Sequence, residues 1–338
     1  MAERKTPVKR ARPKAETTKP LISIIVPVFN EEDNVERTYN ELKRTTALLK
    51  EYRFELVFTD NRSTDGTFAK LVNIASSDPS VRVARFSRNF GFQKSVLTGY
   101  RLARGDAAIQ IDADLQDPPS MFGPFLEKWR AGYDVVVGVR GRRQESPMLS
   151  FGRRIYYRML SWLDGPHLIR DAGDFRLIDR SVIERLRRVN DPHLYLRGLI
   201  SSFARNQTGI PFDRSERLYN QSKFRFRSLV RLAIDGVLAH SSLPLRFSFY
   251  VGVIVALGAL LLSVFYILLR IFSPAGIPEG FTTTQILILF GISLNSIFLG
   301  ILGIYVGRIY DQVRNRPPTI ISDLLNFDDE LEVVERNL

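Results

Sequence analysis

Cysteine is absent from the 338 residues, so this chain has no disulfide framework, no Cys-ligated zinc or iron–sulfur site and no thiol nucleophile. Histidine is nearly as scarce. His167, His193 and His240 stand far apart, which argues against a His-rich metal centre and leaves oxygen as the donor for any cation, and hence a hard one. No apolar stretch opens the chain, so no signal peptide is expected. There is no internal repeat. No recognised nucleic-acid motif accompanies the excess of 48 Lys+Arg over 36 Asp+Glu, a net charge of +12, so no nucleic-acid partner is expected. Nor is the chain poor in apolar residues: 45% are hydrophobic, which excludes a disordered chain and supplies core for roughly two ordinary domains.

The apolar residues are unevenly distributed. Phe247–Phe272 carries one charge, Arg270, and Gln285–Gly307 carries none. Each run exceeds the ~20 residues a helix needs to cross ~30 Å of hydrocarbon. Buried helices in a soluble core are the alternative, but two such runs in one hairpin favour a membrane. The link Ser273–Thr284 holds Glu279 and no Lys or Arg, whereas Arg246, Arg308, Arg314 and Arg316 flank the outer ends. The excess of basic residues on the cytoplasmic side then predicts a two-span protein of the inner or plasma membrane, with both termini and the soluble part in the cytoplasm.

The expected organisation is a basic disordered leader over 1–20, a soluble domain over 21–225, and an interfacial amphipathic helix with linker over 226–246. Transmembrane helices follow over 247–272 and 285–310, joined by an external loop over 273–284, and an acidic tail, solvated or touching another subunit, occupies 311–338. The leader has a second reading as a segment drawn to anionic lipid. The helix Arg227–His240 suits either the membrane interface or packing on the soluble domain. Glycines 252, 258, 291, 300, 303 and 307 admit close helix contact and hence a homo-oligomer.

Within the soluble part, Leu21–Val28, Phe54–Thr59, Val81–Phe86, Ala107–Ile111 and Asp134–Val139 read as strands, with helices over Glu31–Tyr52, Thr64–Ser76 and Gln93–Arg104. Continuous Val/Ile runs separated by helices predict an α/β fold, a mostly parallel sheet covered on both faces. Ligands of such sheets lie at the carboxyl ends of the strands. Polar clusters stand at four of those ends: Val28-Phe29-Asn30-Glu31, Asp60-Asn61-Arg62-Ser63, Ser87-Arg88-Asn89 and Asp112-Ala113-Asp114-Leu115-Gln116.

Two carboxylates as close as Asp112 and Asp114 repel each other, and a divalent cation removes that cost while bridging to a diphosphate. Gln116 offers the same ion a neutral oxygen. Capping of the following segment is the other reading of the two aspartates. Asp60 suits a ribose hydroxyl or a base N–H, or simple turn capping, and Asp65-Gly66 reads as a turn and helix start.

VPVFNEE (26–32), STDGT (63–67), FSRNFGFQKS (86–95), DADLQDPP (112–119), DAGDFRLIDR (171–180) and QSKFRFRSL (221–229), followed by two spans, resemble the inverting GT-A-fold glycosyltransferases that act on polyisoprenyl phosphates. Dolichol-phosphate mannose synthases belong to this group, and the two-helix ending looks most like its bacterial bactoprenol (undecaprenyl-phosphate) glucosyltransferase branch. The resemblance covers about residues 20–316. It implies a Rossmann-like GT-A sheet, a nucleotide-sugar donor (UDP-glucose foremost), a polyisoprenyl-phosphate acceptor and Mg²⁺ or Mn²⁺.

By position, the resemblance implies that Pro27, Phe29, Glu31, Asp60 and Asp112 line the nucleotide site, and that Asp112, Asp114 and Gln116 address the metal and diphosphate. Asp174 and Arg176 would lie near the sugar and acceptor phosphate, Ser222 and Lys223 would bind that phosphate, and Arg140 could meet either phosphate. Asp174 either orients the acceptor or takes a residual proton, or it holds Arg176. Asn61, Phe92 and Asn220-Gln221 depart from the family pattern, which usually has Asp, His and Gly-Glu there. GDP-mannose is the alternative donor. A processive polysaccharide synthase lacks support, since no Gln-Xaa-Xaa-Arg-Trp pattern occurs. A non-catalytic scaffold would not need the two aspartates.

Overall fold

The computed structural model describes residues 19–140, 169, 172–191, 194–213, 280–314 and 316–327, with 250–255 and isolated positions as far as 272. Most of the leader, Ser222 and Lys223, the helix expected over 227–240 and most of the first expected span and its loop lie outside the described residues. The chain divides into two units, Met1–Leu229 with Pro317–Leu338, and Val230–Arg316.

The first unit is built on eight strands: β1 (Leu21–Val28), β2 (Arg53–Asp60), β3 (Val81–Phe86), β4 (Ala107–Gln110), β5 (Val135–Arg140), β6 (Ala172–Asp179), β7 (Gln207–Phe212) and β8 (Ile321–Leu325). Their order across the sheet is β7-β5-β6-β4-β1-β2-β3-β8. The central strands β4, β1, β2 and β3 run parallel. β6 enters antiparallel to both β4 and β5, β7 lies parallel to β5, and β8 closes the far edge antiparallel to β3.

Alternation along the strands makes two apolar layers. In β1, Ile22, Ile24, Val26 and Val28 share one layer with Phe58 of β2. Against them pack α1 (Val35–Leu48), α2 (Thr67–Ser77) and α4 (Phe122–Arg130), through residues such as Leu42, Leu71 and Phe125. Ile25 and Val57 face the other way, onto α3 (Phe92–Leu102), whose Val96, Leu97 and Tyr100 are buried. α5 (Arg180–Arg187) and α6 (Leu196–Phe203) complete that layer with Val182, Leu186 and Ile200. Burial on both faces explains why these strands read as unbroken apolar runs. Each fully buried Ile, Val or Phe contributes about 1.5–3 kcal/mol.

Three helices are shorter or shifted relative to the sequence reading. Glu31–Asn34 form a turn instead of the start of α1: Asn30 takes a positive φ of 56°, and the Asn34 and Val35 amides both donate to the Glu31 carbonyl. α2 starts at Thr67 because Asp65 accepts from the Thr67 amide at 3.0 Å and holds the preceding residues in a turn. α3 ends at Leu102, two residues early, where Ala103 adopts extended backbone.

The acidic tail needs a larger correction. Its first residues belong to a helix reaching Val313, and Ile321–Leu325 is strand β8 of the eight-stranded sheet. Ile321, Leu324 and Phe327 pack on one apolar layer and Leu325 on the other. An edge strand is only half covered, so Ser322 and Asp323 remain exposed and mask the strand pattern.

In the second unit, α7 spans Phe281–Val313. Its residues Phe290–Val313 are predominantly apolar and unburied over 24 residues, about 36 Å of helix, long enough to cross a membrane. It is the one such helix among the described residues.

Candidate active site

The carboxyl ends of β1, β2, β3 and β4 enclose a cavity of about 370 Å³. β1 supplies Pro27 and Val28, the turn after it supplies Phe29 and Glu31, and Asn61 follows β2 directly. The β3–α3 connection supplies Asn89, Gly91, Phe92 and Ser95, and the segment after β4 supplies Asp112, Ala113 and Asp114. Five residues singled out in the sequence, Pro27, Phe29, Glu31, Asp112 and Asp114, are thus brought to one concave surface. Phe29 and Phe92 are 44% and 43% exposed, unusual for aromatics of this domain.

Loop-to-loop hydrogen bonds hold the rim. The Asn30 amide donates to Ser63 Oγ at 3.0 Å, and Asn30 Oδ1 accepts from the Thr64 amide at 2.8 Å. The Glu31 amide donates to Thr67 Oγ1 at 2.9 Å, and Glu32 Oε2 caps the Gly66 amide at 2.9 Å. Asn61 Oδ1 accepts from the Phe90 amide at 2.8 Å, which joins the β2 end to the β3 end. Asn30, Arg62 and Leu115 all have positive φ, 56°, 64° and 53°. Such backbone costs about 1–3 kcal/mol per non-glycine residue and persists where surrounding bonds over-determine it.

Other residues singled out in the sequence lie elsewhere. Asp60 is fully buried and does not line the cavity. Its Oδ1 accepts from the Ser63 amide at 3.0 Å, and its Oδ2 is 3.2 Å from Arg85 Nε, the geometry of the turn-capping reading. Its neighbour Asn61, noted in the sequence only as a departure, takes the place on the cavity wall. Gln116 is also off the cavity and 4% exposed: its side-chain Nε2 has no hydrogen-bond partner, while its backbone amide donates to Asp114 Oδ1 at 3.1 Å. Arg140 ends β5, and its side chain lies outside the described residues, as do Ser222 and Lys223.

Asp174 and Arg176 come from β6 and line a second, much smaller cavity, about 10 Å³, that shares Phe92 with the first. Arg176 is 4% exposed, donates from Nη2 to the Gly173 carbonyl at 2.7 Å, and lies 3.8 Å from Asp174 Oδ1. Burial lowers the Arg176 guanidinium from its usual value, and the Asp174 carboxylate opposes that shift. Arg197, which the sequence reading passed over, grips Asp174 with a fork: Nε to Oδ1 at 2.7 Å and Nη2 to Oδ2 at 2.6 Å. It stands in the first turn of α6, and only its place on a helix following β6 could have drawn attention to it.

Asp112 and Asp114 on one cavity wall fit Mg²⁺ or Mn²⁺, ions that bind through one or two carboxylates with substrate phosphates completing the shell. No cluster of three His, Asp or Glu that could hold a metal occurs among the described residues, so water or substrate oxygens would complete the shell of such an ion.

Residues 23–187 match the family described as glycosyl transferase family 2. The chain is 36% identical over 301 residues to the uncharacterized glycosyltransferase YkcC of Bacillus subtilis, covering 88% of this chain and 92% of that one. It is 34% identical over 303 residues to the prophage bactoprenol glucosyl transferase homolog of Escherichia coli K12, covering 89% and 98%. Among solved structures, a mannosyltransferase from Pyrobaculum calidifontis in complex with GDP-Man and Mn²⁺ aligns with a TM-score of 0.44 at 16% identity, covering 84% of this chain and 88% of that one.

Proposed function

Because the chain belongs to the family 2 glycosyltransferases, we propose that it transfers glucose from UDP-glucose, with inversion, to a polyisoprenyl phosphate at the cytoplasmic face of a membrane. The observation that carries this reading is the pair Asp112 and Asp114 facing a cavity of about 370 Å³ at the carboxyl edge of the sheet. That volume lies in the range of small-molecule sites. The curated relatives named for bactoprenol, aligned over 89% of this chain, supply the acceptor class.

The exposed rings of Phe29 and Phe92 give a nucleobase apolar faces to lie against, while Glu31 suits a ribose hydroxyl. Asp112 and Asp114 would hold the divalent cation, which offsets the negative charge of the departing diphosphate when bound. An acceptor phosphate carries ~1.5–2 negative charges near pH 7 and is already a nucleophile, so orientation and charge matter more than a strong base. One of its oxygens attacks the anomeric carbon in line, the carbon–oxygen bond to the diphosphate breaks, and UDP departs. Asp174 is gripped by Arg197 and sits beside buried Arg176, which suits a fixed acceptor-side wall better than a mobile proton acceptor. Ser222, Lys223 and Arg140 would add cations or donors for the acceptor.

A polyprenyl tail stays in the bilayer, since each buried CH₂ is worth ~0.8 kcal/mol, so the enzyme must work at its surface. α7 supplies one apolar helix of sufficient length, and Gly252 lies near enough to Phe298 of α7 that an added Cβ would be in contact at 3.6 Å, which supports a second helix beside it. The glycine-rich spans also favour a homo-oligomer. The test is to incubate the purified protein in detergent with undecaprenyl phosphate, Mg²⁺ or Mn²⁺ and a panel of labelled nucleotide sugars. Labelled lipid from UDP-glucose alone is the expected result. Transfer from another donor would overturn the sugar, and no lipid product from any donor would overturn the acceptor.

A further inference from the structure

Gln110 is the last residue of β4 and is 1% exposed. Alternation along β4 puts it with Ala108, on the layer formed by Val96, Tyr100 and Ile178. An amide in such a layer is costly unless its polar atoms are used, and Leu or Met would fill the space without that cost. The Gln110 amide has one strong use. Its Nε2 donates to Asp112 Oδ1 at 2.9 Å, an assignment fixed by chemistry, because the amide oxygen cannot donate to a carboxylate.

The register adds a second observation. Gln110 pairs directly with Arg176 across the β4–β6 ladder. One rung therefore joins an amide bonded to Asp112, on the donor side, and a guanidinium 3.8 Å from Asp174, on the acceptor side. Gln110 Oε1 and the Tyr100 hydroxyl are both buried without hydrogen-bond partners, and both residues line the small cavity beside Arg176. On this rung a residue bonded to Asp112 stands opposite a residue beside Asp174.

We propose that Gln110 is a positioning residue that sets the rotamer of Asp112 and thereby the affinity of the Asp112–Asp114 pair for a divalent cation. The inference rests on the reading of that pair as cation ligands. Partners behind a ligand that fix its orientation commonly change metal affinity about 10–100-fold when removed. A hydrogen bond to one oxygen of Asp112 selects one orientation of its carboxylate before any ion arrives, so less ordering is left to occur on binding.

The experiment uses the full-length protein in detergent and measures Mn²⁺ binding by electron paramagnetic resonance in the presence of UDP, without turnover, alongside the thermal midpoint. Gln110→Leu and Gln110→Met are each compared with wild type and with Asp114→Asn. Weaker Mn²⁺ binding by about 10-fold in both Gln110 variants, at an unchanged or higher midpoint, is the expected result. Wild-type Mn²⁺ affinity in either folded Gln110 variant, with binding lost in Asp114→Asn, would overturn the positioning role and leave the cation site standing. Wild-type Mn²⁺ affinity in Asp114→Asn would overturn the cation reading itself. A Gln110 variant with a lowered midpoint and unaltered Mn²⁺ affinity would assign the amide to packing alone and likewise overturn the proposal.

Discussion

Asp174 is held by two arginines of different burial, and this predicts an order of damage. In Arg197→Met the forked pair is lost, but Arg197 is 41% exposed at its side chain and Asp174 keeps Arg176 at 3.8 Å. An ion pair so open to water is worth about 0.2–1 kcal/mol, toward the upper end for two-point geometry. In Asp174→Asn the stranded group is Arg176, which is 4% exposed. Removing the partner of a buried charge costs about 3–5 kcal/mol, but the 30% exposure of Asp174 and the bond from Arg176 to the Gly173 carbonyl reduce that to about 1–3 kcal/mol. Asp174→Asn should therefore lower the midpoint of chemical denaturation clearly more than Arg197→Met. Adding Arg197→Met to Asp174→Asn should cost little more, since the pair is already broken. The assay is denaturation of the full chain in detergent, followed by intrinsic fluorescence, on the two single variants and the double. Equal or greater damage from Arg197→Met would refute the argument that the buried guanidinium, not the exposed fork, sets the energetic stake.

Two further outcomes follow from the packing and the charges. A Cβ at Gly99 of α3 would press into Ile25 Cγ2 on β1, so Gly99→Ala should destabilise by about 1–3 kcal/mol, and Ile25→Ala should cost less in the Gly99→Ala background than in wild type, measured by thermal denaturation. Burial alone would raise the Asp78 carboxyl, but bonds from Lys43, Ser80 and Tyr39 outweigh it and hold the group well below the usual carboxylate range. A depressed folded value means that this stabilisation is complete above the unfolded value of about 3.9 and is lost as the pH falls through the folded one. The stability gap between wild type and Asp78→Asn should therefore be constant near neutrality and narrow below about pH 4 in denaturation series. A gap that widens there would contradict the sign.

The first half of the sheet was legible because its strands are buried on both faces and advertise themselves as Val/Ile runs, with polar residues crowding their ends. The strand-end clusters holding Phe29, Glu31, Asp112 and Asp114 followed from that pattern, the family resemblance picked out the individual residues and Pro27, and all five line one cavity. Asp60 and Gln116 also stand just past strand ends, but strand alternation and the turn that follows decide whether a side chain reaches the cavity, and sequence position says little about either. Asp60 turns under its own loop to cap Ser63, and Asn61 lines the cavity instead. β6 carries Asp174 and Arg176 amid charges, so it did not read as a core strand although Phe175 and Leu177 are buried. Arg197 was invisible for a related reason, since its partner is 23 residues away and only the fold joins them. β8 was hidden by Ser322 and Asp323 and by its distance from the strand it pairs with.

That last strand has a consequence for how the protein is made. β3 and β8 are separated in the chain by everything between Phe86 and Ile321, the apolar helix included. A ribosome has released the whole sugar-transferring domain except this strand long before the final residues emerge, and until then the outer edge of β3 offers unpaired amides and carbonyls to any neighbour. Asn326, whose Nδ2 donates to the Ala75 and Val81 carbonyls at 2.7 Å, and Phe327, which lies under the Arg82 guanidinium at 3.9 Å, fasten the end only at that stage. Completion of the catalytic sheet is thereby deferred until the hydrophobic segment has been synthesised, and a shortened version ending before that segment would carry a raw edge that invites self-association.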